Sequence, residues 1–207
     1  MSGEGKKGCL VSIEGIDGAG KTTQIRLLSD WFGRNGIDAV VLKEPTAGPY
    51  GREIARRAAA HVSTSADEEM RLFMLDRRED VRQNILPALA AGKLVVMDRY
   101  YLSNMAYQGA RGLDPELIRA ENEQFSPVPD RVIVLDIDPA IGLARIRDSR
   151  KTALDSFEKE DYLRRVRDIF LAIGRRPNGL IIDASQPPEK VHEAIVRAIE
   201  DLLHCIR

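Results

Sequence analysis

A glycine-rich loop stands between a short apolar run and a segment with helical periodicity, and it constrains the fold more than any other stretch. Cys9–Ile13 is followed by Glu14-Gly15-Ile16-Asp17-Gly18-Ala19-Gly20-Lys21-Thr22-Thr23, which contains the spacing G-x-x-x-x-G-K-[ST]. From Gln24 to Phe32, apolar residues recur at helical spacing. The sequence therefore predicts a strand, a loop and a helix that begins at the loop.

This order of elements is typical of a phosphate-binding loop. Glycines let the backbone turn tightly so that several N–H groups point inward, and the N-terminus of the helix adds positive potential. Lys21 supplies a point charge for the outer phosphates, and the hydroxyl of Thr22 is a ligand for Mg²⁺. The alternative is a strand-to-helix turn with no ligand, but both flanking segments favour nucleotide binding.

The charge balance of the chain argues against a partner with a large negative field. Among 207 residues, 31 are basic and 32 are acidic, so the formal net charge is -1. No overall field favours nucleic acid or an anionic membrane, and any anion site must be local. The length suits one α/β domain, residues 1–207, with a sizeable core.

The cysteines and the N-terminus indicate a reducing compartment. Cys9 and Cys205 lie at opposite ends of the chain and show neither metal-ligand spacing nor a disulfide framework. The first eight residues are polar and lack an apolar signal core, and no apolar run approaches the ~20 residues of a membrane span. We expect a cytoplasmic protein without a membrane partner.

Five short apolar runs alternate with helical patterns along the chain. The runs are residues 9–14, Ala39–Leu42, Leu94–Met97, Val132–Leu135 and Leu180–Ile182. The predicted helices that follow the first one are Ala66–Ala90, with Pro87 near its end, Pro115–Gln124, Pro139–Ser149, Asp155–Ile173 and Pro188–Cys205. The alternation predicts an α/β fold with a five-stranded parallel sheet and helices on both faces.

Three segments are expected to meet where the strands of this sheet end. In an open parallel sheet, ligands bind beyond the carboxyl ends of the strands. Gly15–Thr22, the irregular loop Glu44–Gly51 and Asp98–Ser103 all follow predicted strands. We therefore expect these segments to form the ligand site.

A second candidate group of site residues begins at the carboxylate of Asp98. It closes an apolar run, as a carboxylate that orients Mg²⁺ would, but Asp136 closes another run in the same way, and the pattern alone does not choose between them. Residues 99–109 after Asp98 combine a guanidinium group, hydroxyls and amide side chains. A guanidinium group suits a phosphate, and amides suit the edge of a nucleobase.

Here the chain resembles the thymidylate kinase family, which moves the γ-phosphoryl group of ATP onto dTMP. The matching features are the phosphate-binding loop with Asp17 inside it, Glu44-Pro45, the helix bearing Leu72-Phe73 and Arg77-Arg78-Glu79, Asp98-Arg99-Tyr100, Ser103 and Ala106-Tyr107-Gln108-Gly109. The resemblance implies the three-layer sandwich of P-loop NTPases, with ATP and Mg²⁺ as cofactors. It also implies a homodimer.

The resemblance also implies which residues bind the acceptor nucleotide. The residues implied are Asp17, Glu44, Arg52, Phe73, Arg77, Arg99, Ser103, Asn104, Tyr107 and Gln108. Asp17 would face the sugar, and Arg99 with Arg77 would grip the phosphate or the base. Phe73 would stack on thymine, and Tyr107 would crowd the 2′ position and so favour deoxyribose. Ser103, Asn104 and Gln108 would meet the edge of the base.

The donor nucleotide and the metal are assigned in the same way. ATP would be bound by Gly15, Ile16, Asp17, Gly18, Ala19, Gly20, Lys21, Thr22, Thr23 and Arg145, the last of which would lie against adenine. Thr22 and Asp98 would hold Mg²⁺. Catalytic roles would fall to Lys21, Asp98, Arg99, Asp17, Arg147 and Arg150, with Arg147 or Arg150 acting from a lid at about residues 145–158.

Two departures from the family pattern concern the lid and the second loop. Many bacterial members have an Asp-Arg-aromatic-Glu lid motif, whereas here Ser156 takes the place of the arginine. The common Arg-Glu-Pro-Gly-Gly-Thr loop is Lys43–Gly48 here, and Ala55 stands where an arginine is usual, so that Arg52 is the candidate replacement. These changes concern the rate of phosphoryl transfer and the mechanism of the lid more than the binding of nucleotides.

Other functions remain open at this point. A kinase for another deoxynucleotide or for a deoxynucleoside fits the same motifs, and Ser156 is compatible with a kinase-like protein that binds nucleotide with weak turnover. A regulatory GTP-binding switch needs an Asn-Lys-x-Asp element to read guanine, and the chain has none.

Overall fold

A computed structural model of the chain describes residues 8–60, 62–150 and 156–206. The strands are β1 Cys9–Glu14, β2 Ala39–Lys43, β3 Leu94–Asp98, β4 Arg131–Asp136 and β5 Gly179–Asp183. The α-helices among these residues are α1 Lys21–Asn35, α2 Pro49–Ala59, α3 Ala66–Asp80, α4 Leu86–Ala90, α5 Tyr101–Tyr107, α6 Pro115–Glu123, α7 Pro139–Arg150, α8 Ser156–Gly174 and α9 Pro188–Ile206.

The five strands form one parallel sheet in the order β2-β3-β1-β4-β5. Strands β1 and β3 are buried along their whole length, which accounts for their apolar sequences. Helices α1 and α9 pack against each other, and α8 packs on β4 and β5. The predicted fold class, a parallel five-stranded sheet flanked by helices, is confirmed.

The strand register brings three functional segments to one edge of the sheet. Asp98, the last residue of β3, is paired with Ile13 of β1 on one side and with Lys43 of β2 on the other. The glycine-rich loop, the loop after β2 and the segment after β3 therefore leave the sheet side by side. This is the edge at which the sequence predicted the ligand site.

The helical region at residues 66–90 differs from the single α-helix that the periodicity predicts. Helix α3 ends at Asp80, Val81–Ile85 form a π-helical turn, and α4 follows. Pro87 has no N–H to donate, and its ring clashes with the carbonyl group four residues earlier in a regular helix. We attribute the wider turn just before Pro87 to this clash, which a hydrophobic pattern does not reveal.

Two helices were not predicted. The loop expected at Glu44–Gly51 is shorter than predicted because α2 begins at Pro49, whose fixed backbone angle suits the first turn of a helix. Helix α5 occupies the polar segment after Asp98, and six of its seven residues are buried. Among the residues that the structure describes, no helix is both long enough and apolar enough to cross a membrane.

Candidate active site

Two neighbouring cavities open at the carboxyl edge of the sheet. The first, which we call the loop cavity, has a volume of about 440 Å³ and lies over the glycine-rich loop. The second, the inner cavity, has a volume of about 280 Å³ and lies between α3, α5 and the loop after β2. Asp17 and Arg99 line both cavities and so form the wall between them.

The glycine-rich loop has the backbone geometry that its sequence predicts. Gly20 adopts a left-handed conformation, with φ 91°, at the start of α1. Gly18 also has a positive φ, and a Cβ atom there would come within 2.2 Å of the carbonyl oxygen of Gly142. Gly15, Ile16 and Ala19 complete a turn that leads directly into the helix N-terminus. The loop therefore lines the cavity at the N-terminus of a helix, which is the position of an anion site.

Lys21 lies over this loop and is buried. Its Nζ donates hydrogen bonds to the carbonyl oxygens of Gly15 and Ile16, both at 2.9 Å. Burial, helped by the positive charge of Arg99, lowers the pKa of the ammonium group to about 7, although Asp17 and Asp98 oppose the shift. The protonation state of the Lys21 amine near neutral pH thus depends on what fills the cavity.

Thr22 and Asp98 supply hard oxygen atoms on the wall of the loop cavity. Thr22 is exposed on the first turn of α1, and Asp98 is buried at the end of β3 with its Oδ2 3.6 Å from Nζ of Lys43. Mg²⁺ binds through one or two such protein oxygens together with substrate phosphates and water. A hydroxyl and one carboxylate therefore fit Mg²⁺, and the described residues contain no cage of three or more ligating side chains.

Arg99 connects the glycine-rich loop to α5. Its backbone has a φ of 71°, which is uncommon outside glycine, and its N–H donates to the carbonyl oxygen of Ile13 at 3.2 Å. The guanidinium group donates to Asp17 and, at 3.1 Å, to Oγ of Ser103, and its carbon lies 5.2 Å from the centre of the Tyr107 ring. Arg99 is thereby held in the wall between the cavities.

Glu14 holds Ser103 and the backbone of Tyr100 in place beside Arg99, and the sequence reasoning missed it. Its carboxylate is fully buried and accepts hydrogen bonds from the N–H of Tyr100 at 2.8 Å and from Oγ of Ser12 and of Ser103, both at 2.6 Å. Burial raises its pKa, although these donors and Arg99 oppose the shift. A carboxylate as the last residue of a buried strand was the available sequence signal.

The inner cavity is built around the fully buried guanidinium group of Arg77. Glu44 accepts from Nε of Arg77 at 2.8 Å and from its Nη2. Asn122 and Asn104 accept from Nη1 and Nη2, each at 2.7 Å. Burial raises the pKa of Glu44 to about 7 against the opposing effect of Arg77, and one oxygen of this carboxylate has no hydrogen-bond partner. Because its guanidinium group is buried and hydrogen-bonded, the side chain of Arg77 has little freedom to move when a ligand binds.

Phe73, Tyr107 and Gln108 complete the walls that the sequence reasoning had assigned. The hydroxyl of Tyr107 accepts from the backbone N–H of Asp17 at 3.1 Å, so that the ring closes the cavity next to the wall between the cavities. Phe73 is half-buried and faces the cavity from α3. The polar and aromatic residues needed for a nucleoside are therefore brought together.

Several lining residues were not anticipated. They are Glu69, Tyr100, Arg111 and Tyr162 in the inner cavity and Lys43 in the loop cavity. Glu69 lies four and eight residues before Phe73 and Arg77 on α3, so helical spacing placed it on the same face. Tyr162 comes from α8 and donates to the carbonyl oxygen of Tyr107 at 2.9 Å, a contact across 55 residues that no local pattern shows.

The remaining predicted arginines lie at different distances from the two cavities. Arg145 lines the loop cavity and donates to the carbonyl oxygen of Ala184 at 3.2 Å. Arg52 donates to the carbonyl oxygen of Ala47 and lines neither cavity. Arg147 is exposed on α7, and Arg150 is the last residue of that helix. Residues 151–155 of the predicted lid lie outside the described residues.

The family model described as Thymidylate kinase matches residues 13–195. The chain belongs to the thymidylate kinase family.

Relatives bearing this family name are similar over nearly the whole chain. A protein of Archaeoglobus fulgidus named "Probable thymidylate kinase" is 46% identical over 94% of this chain and 96% of its own length. A thymidylate kinase of Akkermansia muciniphila is 45% identical over 94% of this chain and 92% of its own. A thymidylate kinase of Xanthomonas campestris pv. campestris is 46% identical over 95% of this chain and 86% of its own length. The similarity to thymidylate kinases thus spans both cavities.

Proposed function

We propose that the protein transfers the γ-phosphoryl group of ATP to dTMP and so forms dTDP. ATP binds in the loop cavity, and dTMP binds in the inner cavity. The observation that carries the proposal is the wall shared by the two cavities, because it places Arg99 and Asp17 between a phosphate-binding loop and a pocket suited to a nucleoside. Membership of the thymidylate kinase family supports the same substrates.

The charges around this wall suit phosphoryl transfer. Two anionic nucleotides repel each other, so they approach end to end only where cations offset the repulsion. Lys21 and Lys43 line the loop cavity on one side, and Arg99 contributes a guanidinium group to both cavities. In this proposal Lys21 binds the outer phosphates of ATP, and Arg99 binds the phosphate of dTMP.

The inner cavity orients the acceptor through aromatic and polar contacts. Phe73 stacks on the thymine ring, and the polar side chains of Arg77, Asn104 and Gln108 face the edge of the base. In this proposal Tyr107, which lines the cavity, crowds the 2′ position of the sugar and so selects deoxyribose. Enclosure of the base between fixed side chains holds the monophosphate near the wall between the cavities, which makes the reaction effectively unimolecular.

The proposed metal is Mg²⁺, which Thr22 and Asp98 would hold at the loop cavity. When bound, Mg²⁺ neutralises charge on the transferring phosphoryl group. Asp98 also lies within 3.6 Å of Lys43, so the carboxylate is already oriented toward the loop cavity. A lid at about residues 145–158 closes over the phosphates in this proposal, with Arg147 or Arg150 as its cation and Arg145 against adenine.

We also infer that the protein forms a homodimer through α3 and α6. Between these helices lies a cavity with an apolar lining that includes Met74, Leu75 and Leu117, and the side chain of Leu117 is 58% exposed. An exposed leucine beside partly buried apolar residues of the adjoining helix is suited to burial against a second copy. Sedimentation analysis tests this inference: a single species of about 23 kDa, the mass of one chain, contradicts it.

Release of ADP in the presence of ATP and Mg²⁺ tests the function directly. The acceptors are dTMP, dUMP, dCMP, dGMP and thymidine, each also followed by chromatography of the product. We expect ADP and dTDP to form in equal amounts, with dTMP the preferred acceptor. Lys21→Ala should abolish this activity, whereas Lys190→Ala, a control at an exposed lysine of α9, should leave it unchanged. If ADP is released at the same rate with each acceptor as without any acceptor, the proposal is refuted.

A further inference from the structure

The polar wall of the inner cavity is a continuous chain of hydrogen bonds between α3 and α5. Nη2 of Arg77 donates to Oδ1 of Asn104 at 2.7 Å, and Nδ2 of Asn104 donates to Oε1 of Gln108 at 3.0 Å. Nε2 of Gln108 then donates to Oε2 of Glu69, again at 3.0 Å. All four side chains line the cavity. We call this set, Arg77, Asn104, Gln108 and Glu69, the amide relay.

The two ends of the amide relay fix the direction of the amides between them. A guanidinium group only donates hydrogen bonds, and a carboxylate only accepts them. Turning the amide of Asn104 around would place its NH₂ group against Arg77, and turning that of Gln108 around would place its oxygen against Glu69. Both reversals create a contact between like groups, so each amide has one favoured orientation.

Glu69 accepts hydrogen bonds from both Gln108 and Arg111 at the rim of the cavity. Nη1 of Arg111 donates to the same Oε2 atom that Gln108 contacts, and Nη2 of Arg111 donates to the carbonyl oxygen of Thr64 at 2.5 Å. The side chain of Glu69 is 32% exposed, whereas Gln108 is buried. The carboxylate of Glu69 thus lies at the rim of the cavity and accepts a hydrogen bond from the amide of Gln108, which lies inside it.

The direction of the relay determines what it offers to a base. Each amide uses one N–H inside the relay and keeps the other, and Arg77 keeps one N–H beyond its bonds to Glu44, Asn104 and Asn122. These remaining groups are donors that pair with a ring carbonyl oxygen. The 4-amino group of a cytosine is itself a donor, so it opposes them.

We propose that Glu69 is a positioning residue that sets the preference for a 4-oxo pyrimidine over a 4-amino pyrimidine. The inference rests on the proposed function, since it assumes that the base of the acceptor lies in the inner cavity. Glu69 acts through Gln108 and Asn104 rather than by contact with the reacting atoms. Without its charge, a reversed Gln108 no longer brings its oxygen atom against a carboxylate, so the part of the penalty that Glu69 imposes on presenting this oxygen to an amino group is lost, whereas Asn104 still favours the original orientation.

The isosteric change Glu69→Gln tests this role. The specificity constants kcat/KM are measured for dTMP, dCMP and dUMP, and dCMP is also measured as a competitive inhibitor of dTMP. We expect the ratio of dTMP to dCMP to fall by roughly 10- to 100-fold, the range for one mispaired buried hydrogen bond. The ratio of dTMP to dUMP should stay unchanged, because both bases carry the 4-oxo group.

Two other variants separate the direction of the amides from general loosening of the pocket. Glu68→Gln is the matched control, since this neighbouring glutamate pairs with Arg57 outside the inner cavity, and it should change neither ratio. Arg111→Met breaks the ion pair but leaves the carboxylate of Glu69 in place. We expect this variant to keep its discrimination against dCMP.

The possible results distinguish this inference from the proposed function. If the unchanged protein does not phosphorylate dTMP, the proposed function fails. If it does, but Glu69→Gln keeps the original ratio of dTMP to dCMP, only the role of Glu69 is overturned. A parallel fall in the dTMP to dUMP ratio, or loss of discrimination in Arg111→Met, also overturns it. Should Glu69→Gln fail to fold, Glu69→Ala, a favourable residue in a helix, replaces it with the same expectations.

Discussion

The lowered pKa of Lys21 predicts that nucleotide binding is accompanied by uptake of a proton. The Nζ group is enclosed by the loop and donates to the carbonyl oxygens of Gly15 and Ile16, and its pKa is about 7. The phosphates of a bound nucleotide favour the charged form of the amine. Binding at a pH above this pKa must therefore draw a proton from the buffer.

The size of the effect follows from the pKa. At about pH 8 roughly one-tenth of the Lys21 side chains are charged before binding, so about 0.9 proton is taken up, whereas at about pH 6 the uptake is about 0.1. Because protonation is then part of the binding reaction, the affinity for nucleotide is about tenfold lower at the higher pH. The sign is fixed: affinity falls as the pH rises through the pKa of the free protein.

Isothermal titration calorimetry measures both quantities. MgATP is titrated in buffers with different enthalpies of ionisation, and the dependence of the binding heat on the buffer gives the number of protons. Lys21→Arg is the matched control because a guanidinium group stays charged throughout this range. Protonation of the nucleotide itself is common to both proteins and cancels in the difference. Equal uptake at both pH values, or equal uptake in the two proteins, would refute the reasoning.

Three further predictions concern the inner cavity. Arg77→Met leaves the carboxylate of Glu44 buried without its partner and should lower the free energy of unfolding by about 3–5 kcal/mol in a urea titration. The loss should be smaller at about pH 5 than at about pH 8, because Glu44, whose pKa burial already raises, can then take up a proton. Arg99→Ala should lower kcat by about 10²- to 10³-fold in the ADP-release assay. Phe73→Ala should raise the KM for dTMP by the equivalent of roughly 1–3 kcal/mol of lost stacking.

Each of these predictions has an outcome that contradicts it. Arg78→Met is the control for Arg77, because its guanidinium group stacks on Phe125 and has no buried carboxylate partner in the part of the chain that the structure describes. An equal loss of stability in both variants would argue against the buried network. Unchanged kcat in Arg99→Ala would remove this residue from the wall between the cavities. An unchanged KM in Phe73→Ala, with lowered stability, would show that the ring only fills the core.

The parts of the fold that could be read from the sequence are those that local patterns determine. The spacing from Gly15 to Thr22 specifies both a backbone conformation and the elements on either side, and apolar runs specify the five strands. Helix α5 was not predicted because its buried residues include Ser103 and Asn104, which are polar and so interrupt the apolar pattern of a buried helix face. Its burial depends on Glu14 and Arg77, which are distant in sequence.

The candidate site shows the same division between local and distant information. Asp17, Lys21 and Arg99 belong to motifs, and the structure brings all three to the loop cavity. Glu69 and Tyr162 carry no motif, and their place in the site follows from the packing of α3 and α8 against α5. Their partners are Gln108 and Tyr107, so long-range contacts decide how the predicted residues are oriented.

The central claim is that two nucleotides bind on either side of the wall formed by Asp17 and Arg99. A crystal structure with dTMP and a non-hydrolysable ATP analogue tests it most directly. The account predicts thymine beside Phe73 in the inner cavity, the triphosphate on the glycine-rich loop next to Lys21, and Arg99 between the two phosphate ends. A structure with dTMP bound outside the inner cavity, or with Arg99 remote from both nucleotides, would contradict it.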